Sequence, residues 1–200
     1  MKKIAVFLFE GAELFEIASF TDVFGWNNVV GLKEFRDIKL ETISYKESIK
    51  CTWGGNLRVE KVITEENIEE FFCYDALIIP GGFGRANFFE DKNNEIFKKL
   101  IKYFSENNKI IIAICSAVIN LLESGYIKNK KVTTYLLDNK RYFNQLKNYN
   151  IIPVEEEIVK DNNLFTCSGP GNALELSFRL LEKLTSKENV ENIKKNMFLK

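Results

Sequence analysis

The chain has 200 residues, with 28 Lys and Arg against 28 Asp and Glu, 46% hydrophobic residues, 4 Cys and no His. Without imidazole it cannot run a Ser-His-Asp or Cys-His relay, nor build a His-ligated zinc or non-haem iron site. Balanced charge gives no overall field for phosphate backbones or anionic lipid, so neither nucleic acid nor membrane is an expected partner, and the length suits one domain over 1–200 whose core needs no disulfide or metal.

Met1-Lys2-Lys3 precedes an apolar run from Ile4 to Phe9, which is too short for a signal h-region or a bilayer span. We therefore expect a cytoplasmic protein with reduced thiols. The run reads as a buried strand, followed by an apolar helix over Leu14 to Trp26. Ile38 to Ser44 alternates as a half-exposed strand would. Trp53-Gly54-Gly55-Asn56 is a turn between two short strands, and Thr64 to Phe72 is a short acidic helix with Thr64 as N-cap. Ala76 to Ile79 is a core strand ended by Pro80-Gly81-Gly82. A helix from about Asn93 to Phe104 follows, with Ile96, Leu100, Ile101 and Phe104 on one face. Lys109 to Ile114 is the most apolar strand, and the helix after Cys115 stops near Gly125.

Beyond it the spacing predicts a strand over Lys131 to Thr134, a polar helix around Lys140 to Leu146 and a hairpin from Ile151 to Thr166. A helix over Gly171 to Leu184 and a polar terminal helix, about 186–200, complete the chain, with the final dozen residues expected to fray. Short apolar strands alternating with amphipathic helices specify an α/β fold with a mostly parallel sheet between helical layers.

Chemistry centres on Ile112-Ala113-Ile114-Cys115-Ser116-Ala117. A buried strand ends at a cysteine and a helix starts at once, the context of a nucleophile elbow. Ala113 and Ala117, two residues either side, leave the room such a turn needs. Cys115 at a helix N-terminus would favour thiolate, and the Ser116 amide is the first oxyanion donor to nominate. The competing reading is a small buried cysteine at a strand end. Pro80-Gly81-Gly82-Phe83-Gly84 lies at the same carboxyl edge of the sheet, where Gly82 N–H could be a second donor, although a plain glycine turn fits equally. Glu16, early on its apolar helix beside Phe15 and Ile17, would be desolvated and so raised in pKa, while Glu13 is the helix-start carboxylate. Cys51 and Cys73 are expected to serve packing, and the Glu155-Glu156-Glu157 run a solvated loop or edge strand. The four cysteines show no C-x-x-C spacing, so no metal site is expected.

Gly11-Ala12-Glu13 with Glu16, the Pro80-Gly81-Gly82 turn, Ala113-Ile114-Cys115-Ser116-Ala117, Val132-Thr133-Thr134 and Ser168-Gly169-Pro170-Gly171 occur in an order and spacing that resemble the ThiJ/PfpI superfamily, also called the DJ-one superfamily. The resemblance spans almost the whole chain. It implies a flavodoxin-like, glutamine-amidotransferase-like sandwich, usually a homodimer, with Cys115 at the elbow, Glu16 reaching its sulfur, and the Gly82 and Ser116 amides forming an oxyanion pocket. Many members carry a histidine where this chain has Tyr135, which argues against peptidase-like or amidase-like catalysis. Some carry an arginine where this chain has Ser168.

The expected function is therefore a cofactor-independent Cys-Glu enzyme acting on a small electrophile, by glyoxalase-like, deglycase-like or hydratase-like chemistry. Glu16 would be largely protonated and titrate together with Cys115. The alternative is an oxidation-sensing or stress-protective, chaperone-like protein whose Cys115 forms a sulfinate. A sensing module of a transcriptional regulator is a third reading, disfavoured by the short chain after the last core helix. Gly81, Phe83 and Tyr135 are the expected pocket-lining residues.

Overall fold

A computed structural model describes residues 1–199. The first half runs β1 (Lys2–Phe7), α1 (Leu14–Val30), β2 (Ile38–Ser44), β3 (Ser48–Lys50), β4 (Asn56–Arg58), β5 (Lys61–Val62), β6 (Ala76–Ile79) and α2 (Glu95–Glu106). The second runs β7 (Ile110–Ile114), α3 (Ala117–Glu123), β8 (Lys131–Val132), β9 (Ile152–Pro153), β10 (Ile158–Asp161), β11 (Leu164–Cys167), α4 (Ala173–Leu184) and α5 (Lys187–Asn196). Seven strands form one sheet in the order β10-β11-β7-β6-β1-β2-β5, parallel except for β10 against β11. This is the flavodoxin-like α/β sandwich expected from the sequence.

The sheet is buried on both faces because its central strands carry no polar side: β6 and β7 are buried at every residue. Ile4, Val6, Ile78 and Ile112 face α1, α4 and α5, whereas Ala5, Phe7, Leu77 and Ile111 face α2 and α3. The α2 helix starts where the Asn94 side chain accepts the Ile96 N–H at 2.9 Å. From β1 the chain goes outward to β2 and then crosses back to β6 on the other side of β1. The loops after β1, β6, β7 and β11 therefore converge at the carboxyl edge, at the switch point where such folds bind ligands.

Several local expectations need correction. The acidic segment is a 3-10 turn over Ile68–Cys73, and Thr64 is not its cap: its N–H donates to the Asn67 side chain at 2.8 Å. Of this segment Ile68 and Phe71 are buried in the core and Phe72 packs against it half-buried, a stripe too short to sustain a longer α-helix. The segment read as a polar helix is a 3-10 turn over Phe143–Asn148. Asp138, Asn139 and Lys140 before it are all left-handed and cannot continue into a right-handed helix. The hairpin is confined to β10 and β11, since β9 pairs instead with β8 in parallel.

β2 is less exposed than its alternation suggests. Glu41 is buried there, accepting the Tyr74 hydroxyl at 2.6 Å and pairing with Lys39 at 2.7 Å and Lys61 at 3.5 Å. Cys73 is exposed rather than packed, while Cys51 is buried. The terminal helix α5 packs onto the domain along part of the segment expected to fray. It buries Val190 and Ile193 against the core, the Asn189 side-chain amide donates to Asn27 Oδ1 of α1 at 2.8 Å, and Asn189 Oδ1 accepts the Leu32 N–H at 2.7 Å.

Candidate active site

β7 delivers the chain to Cys115 with φ 78, in the left-handed region. For a side-chain-bearing residue that conformation costs about 1–3 kcal/mol and persists only when neighbours over-determine it. They do so here. Cys115 N–H donates to Cys167 O at 2.8 Å, and the Thr134 hydroxyl donates to Cys115 O at 2.5 Å. Thr133 N–H in turn donates to the Thr166 hydroxyl at 2.9 Å, fixing that segment to β11. A Cβ on Gly81 would lie 2.7 Å from Ile114 O and 2.9 Å from the Cys115 Cβ, so only glycine lets the loop after β6 approach the elbow.

Glu16 stands in the first turn of α1 and is 1% exposed. Its Oε2 accepts the Gly81 N–H at 2.6 Å. Burial raises its pKa to about 8, opposed by the Gly81 bond and aided by the negative charge of Glu13. The Cys115 thiol is pushed well above its usual value, first by burial and then by the Glu16 charge, against the pull of the Ser116 amide. Desolvation thus outweighs the helix N-terminus that was expected to favour thiolate. Near neutral pH the resting pair is a carboxylic acid and a thiol.

The two nominated oxyanion donors differ in state. The Ser116 amide acts on the Cys115 sulfur. Gly82 N–H is engaged with Ser116 Oγ at 3.0 Å, and that hydroxyl donates back to Gly82 O at 2.7 Å.

Glu16, Cys115, Ser116, Gly82, Phe83 and Tyr135 all open onto one cavity of about 750 Å³. Gly81 sits behind the elbow rather than in the wall, and its part is close approach and the amide given to Glu16. The wall also holds residues that the sequence did not single out as a group: Trp53, Arg85, Arg141 and Tyr142. Trp53 Nε1–H donates to the Glu13 carboxylate at 2.9 Å, which fixes the indole at the turn of the β3–β4 hairpin. The available signal was an aromatic residue at a hairpin tip and an arginine in a glycine loop, neither selective alone. Among the described residues no group of three His, Cys, Asp or Glu side chains is placed to hold a metal ion.

The DJ-1/PfpI family model matches residues 2–183. Protein dj-1beta of Drosophila melanogaster is 26% identical over 198 residues, covering 99% of this chain and 97% of that protein. The crystal structure of Drosophila melanogaster DJ-1beta aligns over 100% of this chain and 98% of that one, at 26% identity and a TM-score of 0.82. An isonitrile hydratase of Pseudomonas putida is 22% identical over 160 residues, covering 80% of this chain and 65% of that protein.

Proposed function

The chain belongs to the DJ-1/PfpI family, and from that premise we propose that it is a cysteine-dependent enzyme acting on a small electrophilic carbon, with Cys115 as nucleophile and Glu16 as proton carrier. One observation carries the reading: a buried, proton-bearing Glu16 and a conformationally strained Cys115 open onto the same cavity. The proposal assigns the whole activity to one domain and requires no cofactor.

Among the described residues no hydrogen bond joins the Glu16 carboxyl, which accepts from Gly81 N–H, to the Cys115 sulfur; a neutral acid and a neutral thiol opening onto one cavity still suit addition of S–H across a polarised carbon. With an isocyanide, the sulfur bonds to the terminal carbon while Glu16 passes the thiol proton to that carbon, giving a thioimidate. Water then adds to it and the C–S bond breaks, returning the thiol and an N-substituted formamide. With a 2-oxoaldehyde, the sulfur bonds to the aldehyde carbon and Glu16 protonates the new oxyanion. Transfer of the C1 hydrogen to C2 as a proton then gives a thioester, which water opens to a 2-hydroxy acid. In both routes the Ser116 amide is the standing donor, and Gly82 N–H joins it once the Ser116 hydroxyl turns away. Turnover of methylglyoxal and aryl isocyanides, compared between the native protein and Cys115→Ala, tests the reading. Turnover unchanged in the variant overturns it.

The oxidation-sensing alternative is less well supported. Peroxide attacks thiolates that solvent can reach, whereas Cys115 is a buried thiol and Cys73 is exposed, with Lys3 Nζ 3.6 Å from its sulfur. Graded peroxide followed by peptide mass spectrometry is expected to modify Cys73 first. Sulfinate on Cys115 at the lowest doses would restore the alternative.

The proposal includes a homodimer. α1 turns Ile17, Phe20 and Phe24 inward yet leaves Phe15, Trp26 and Val29 exposed, the last at 70%. A helix apolar on both sides is one that expects a second covering. The paired substitution Trp26→Glu and Val29→Glu is expected to convert a sedimenting dimer to monomer, and a native protein that sediments as monomer removes this part. Among the described residues no helix is long and apolar enough to cross a membrane. Free thiols at Cys51, Cys73, Cys115 and Cys167 support the proposed cytoplasmic location.

A further inference from the structure

The cavity of about 750 Å³ is far larger than a two- or three-carbon electrophile needs. One part of its wall, made by the β3–β4 hairpin and the loop after β6, has a definite chemistry. The Arg85 guanidinium lies 4.9 Å from the Trp53 ring centre and 5.6 Å from that of Phe83, and those rings are 5.3 Å apart. Trp53 is itself held by Glu13, whose carboxylate is thereby spent on the indole. The backbone carrying Arg85 is set by a 3-10 turn over Gly84–Ala86, in which Ala86 N–H donates to Phe83 O at 2.8 Å. Among the described residues the guanidinium ion pairs are those of Arg141 with Asp138 at 3.9 Å and Arg179 with Glu175 at 3.0 Å. Among the described residues no carboxylate lies within ion-pair distance of Arg85.

A guanidinium stacked on aromatic faces keeps its in-plane N–H groups free and aimed edge-on, the geometry that takes a carboxylate or phosphate in a two-point grip. We propose that the native substrates carry such an anionic group at the end remote from the electrophilic carbon, read by Arg85, with a flat apolar body against Trp53, Phe83 and Tyr142. The reacting end of this proposal rests on the Cys115 reading above; the anion subsite does not. Arg85 is a specificity determinant that touches substrate without taking part in bond making.

The test uses the native protein and three inert ligands: formanilide, 4-formamidobenzoate and 4-formamidophenyl phosphate. By calorimetry, at least one anion is expected to bind about tenfold tighter than formanilide, a ratio suited to a partly exposed charged pair. Arg85→Gln and high salt should erase that ratio, Arg85→Lys should keep part of it, and Arg179→Gln, on α4 and outside the cavity, should leave it. Which anion binds tighter tells carboxylate from phosphate. Equal binding of all three, no binding of any, or a ratio that survives Arg85→Gln overturns the proposal. The kinetic arm compares 4-isocyanobenzoate with phenyl isocyanide. Anion-selective binding without turnover of either sinks the isocyanide route of the enzyme reading and leaves this one standing, whereas turnover of both with equal KM sinks this one alone.

Discussion

Glu16→Gln is expected to stabilise the protein by about 5 kcal/mol above pH 8 and to change it little under acid conditions. The unfolded carboxyl titrates at 4.5 and the folded one at about 8. Below 4.5 both states are protonated, so the acid and the amide differ little. Between 4.5 and about 8 the unfolded chain has released a proton that the folded chain keeps. Folding stability therefore falls with rising pH across that window, by about 1.4 kcal/mol for each unit. Once the pH passes about 8 the stability tied to the neutral form is lost in full. A glutamine carries no charge to desolvate and keeps an oxygen for the Gly81 N–H, so the variant is spared that loss. Urea unfolding of both proteins at mildly acid, neutral and alkaline pH gives the curve. A difference that stays flat with pH, or a variant less stable than the native protein in alkali, contradicts a buried neutral carboxyl.

That carboxyl was legible because Glu16 interrupts the first turn of the apolar helix that follows β1, and the elbow because β7 has no polar residue before Cys115. Runs buried on both faces leave a mark in composition that survives without knowledge of partners. The misread segments lack such a mark. The Phe143–Asn148 and Ile68–Cys73 elements are six residues each, about two 3-10 turns, with a shape set by what they rest on. Glu41 looked like the solvent side of a strand because its partners Tyr74, Lys39 and Lys61 come from one near and two distant places in the chain. The same holds for Asn189, 162 residues from Asn27, and for Gly82 and Ser116, which lie 34 apart and occupy each other's polar groups. Arg85 on Trp53 is another such pair. Hydrophobic periodicity reports which way a residue faces and is silent on which distant residue meets it, so the sheet was readable while that part of the cavity wall was not.

Turnover and thiol reactivity should part company when Glu16 is changed, and this separates a proton carrier from a merely structural acid. In the native protein kcat/KM is expected to fall as the pH rises through about 8, because Glu16 loses the proton it must deliver and its new charge pushes the Cys115 thiol still higher. Glu16→Gln removes that charge at every pH but cannot move a proton. Its kcat/KM should drop by about 10²–10⁴-fold, the usual worth of a positioned general acid or base, and the decline tied to a pKa of about 8 should vanish. Alkylation of Cys115 by iodoacetamide, measured with the exposed Cys73 replaced by Ser, should instead become faster in alkali, since the coulombic penalty on the thiolate is gone. The pH dependence separates this from misfolding: a loosened elbow would expose Cys115 and speed alkylation at neutral and alkaline pH alike, whereas loss of the Glu16 charge speeds it only where Glu16 would be ionised, above about 8. Should Glu16→Gln keep native kcat/KM and the native pH profile, the acid has no part in the chemistry and Cys115 must find its proton path elsewhere in the cavity.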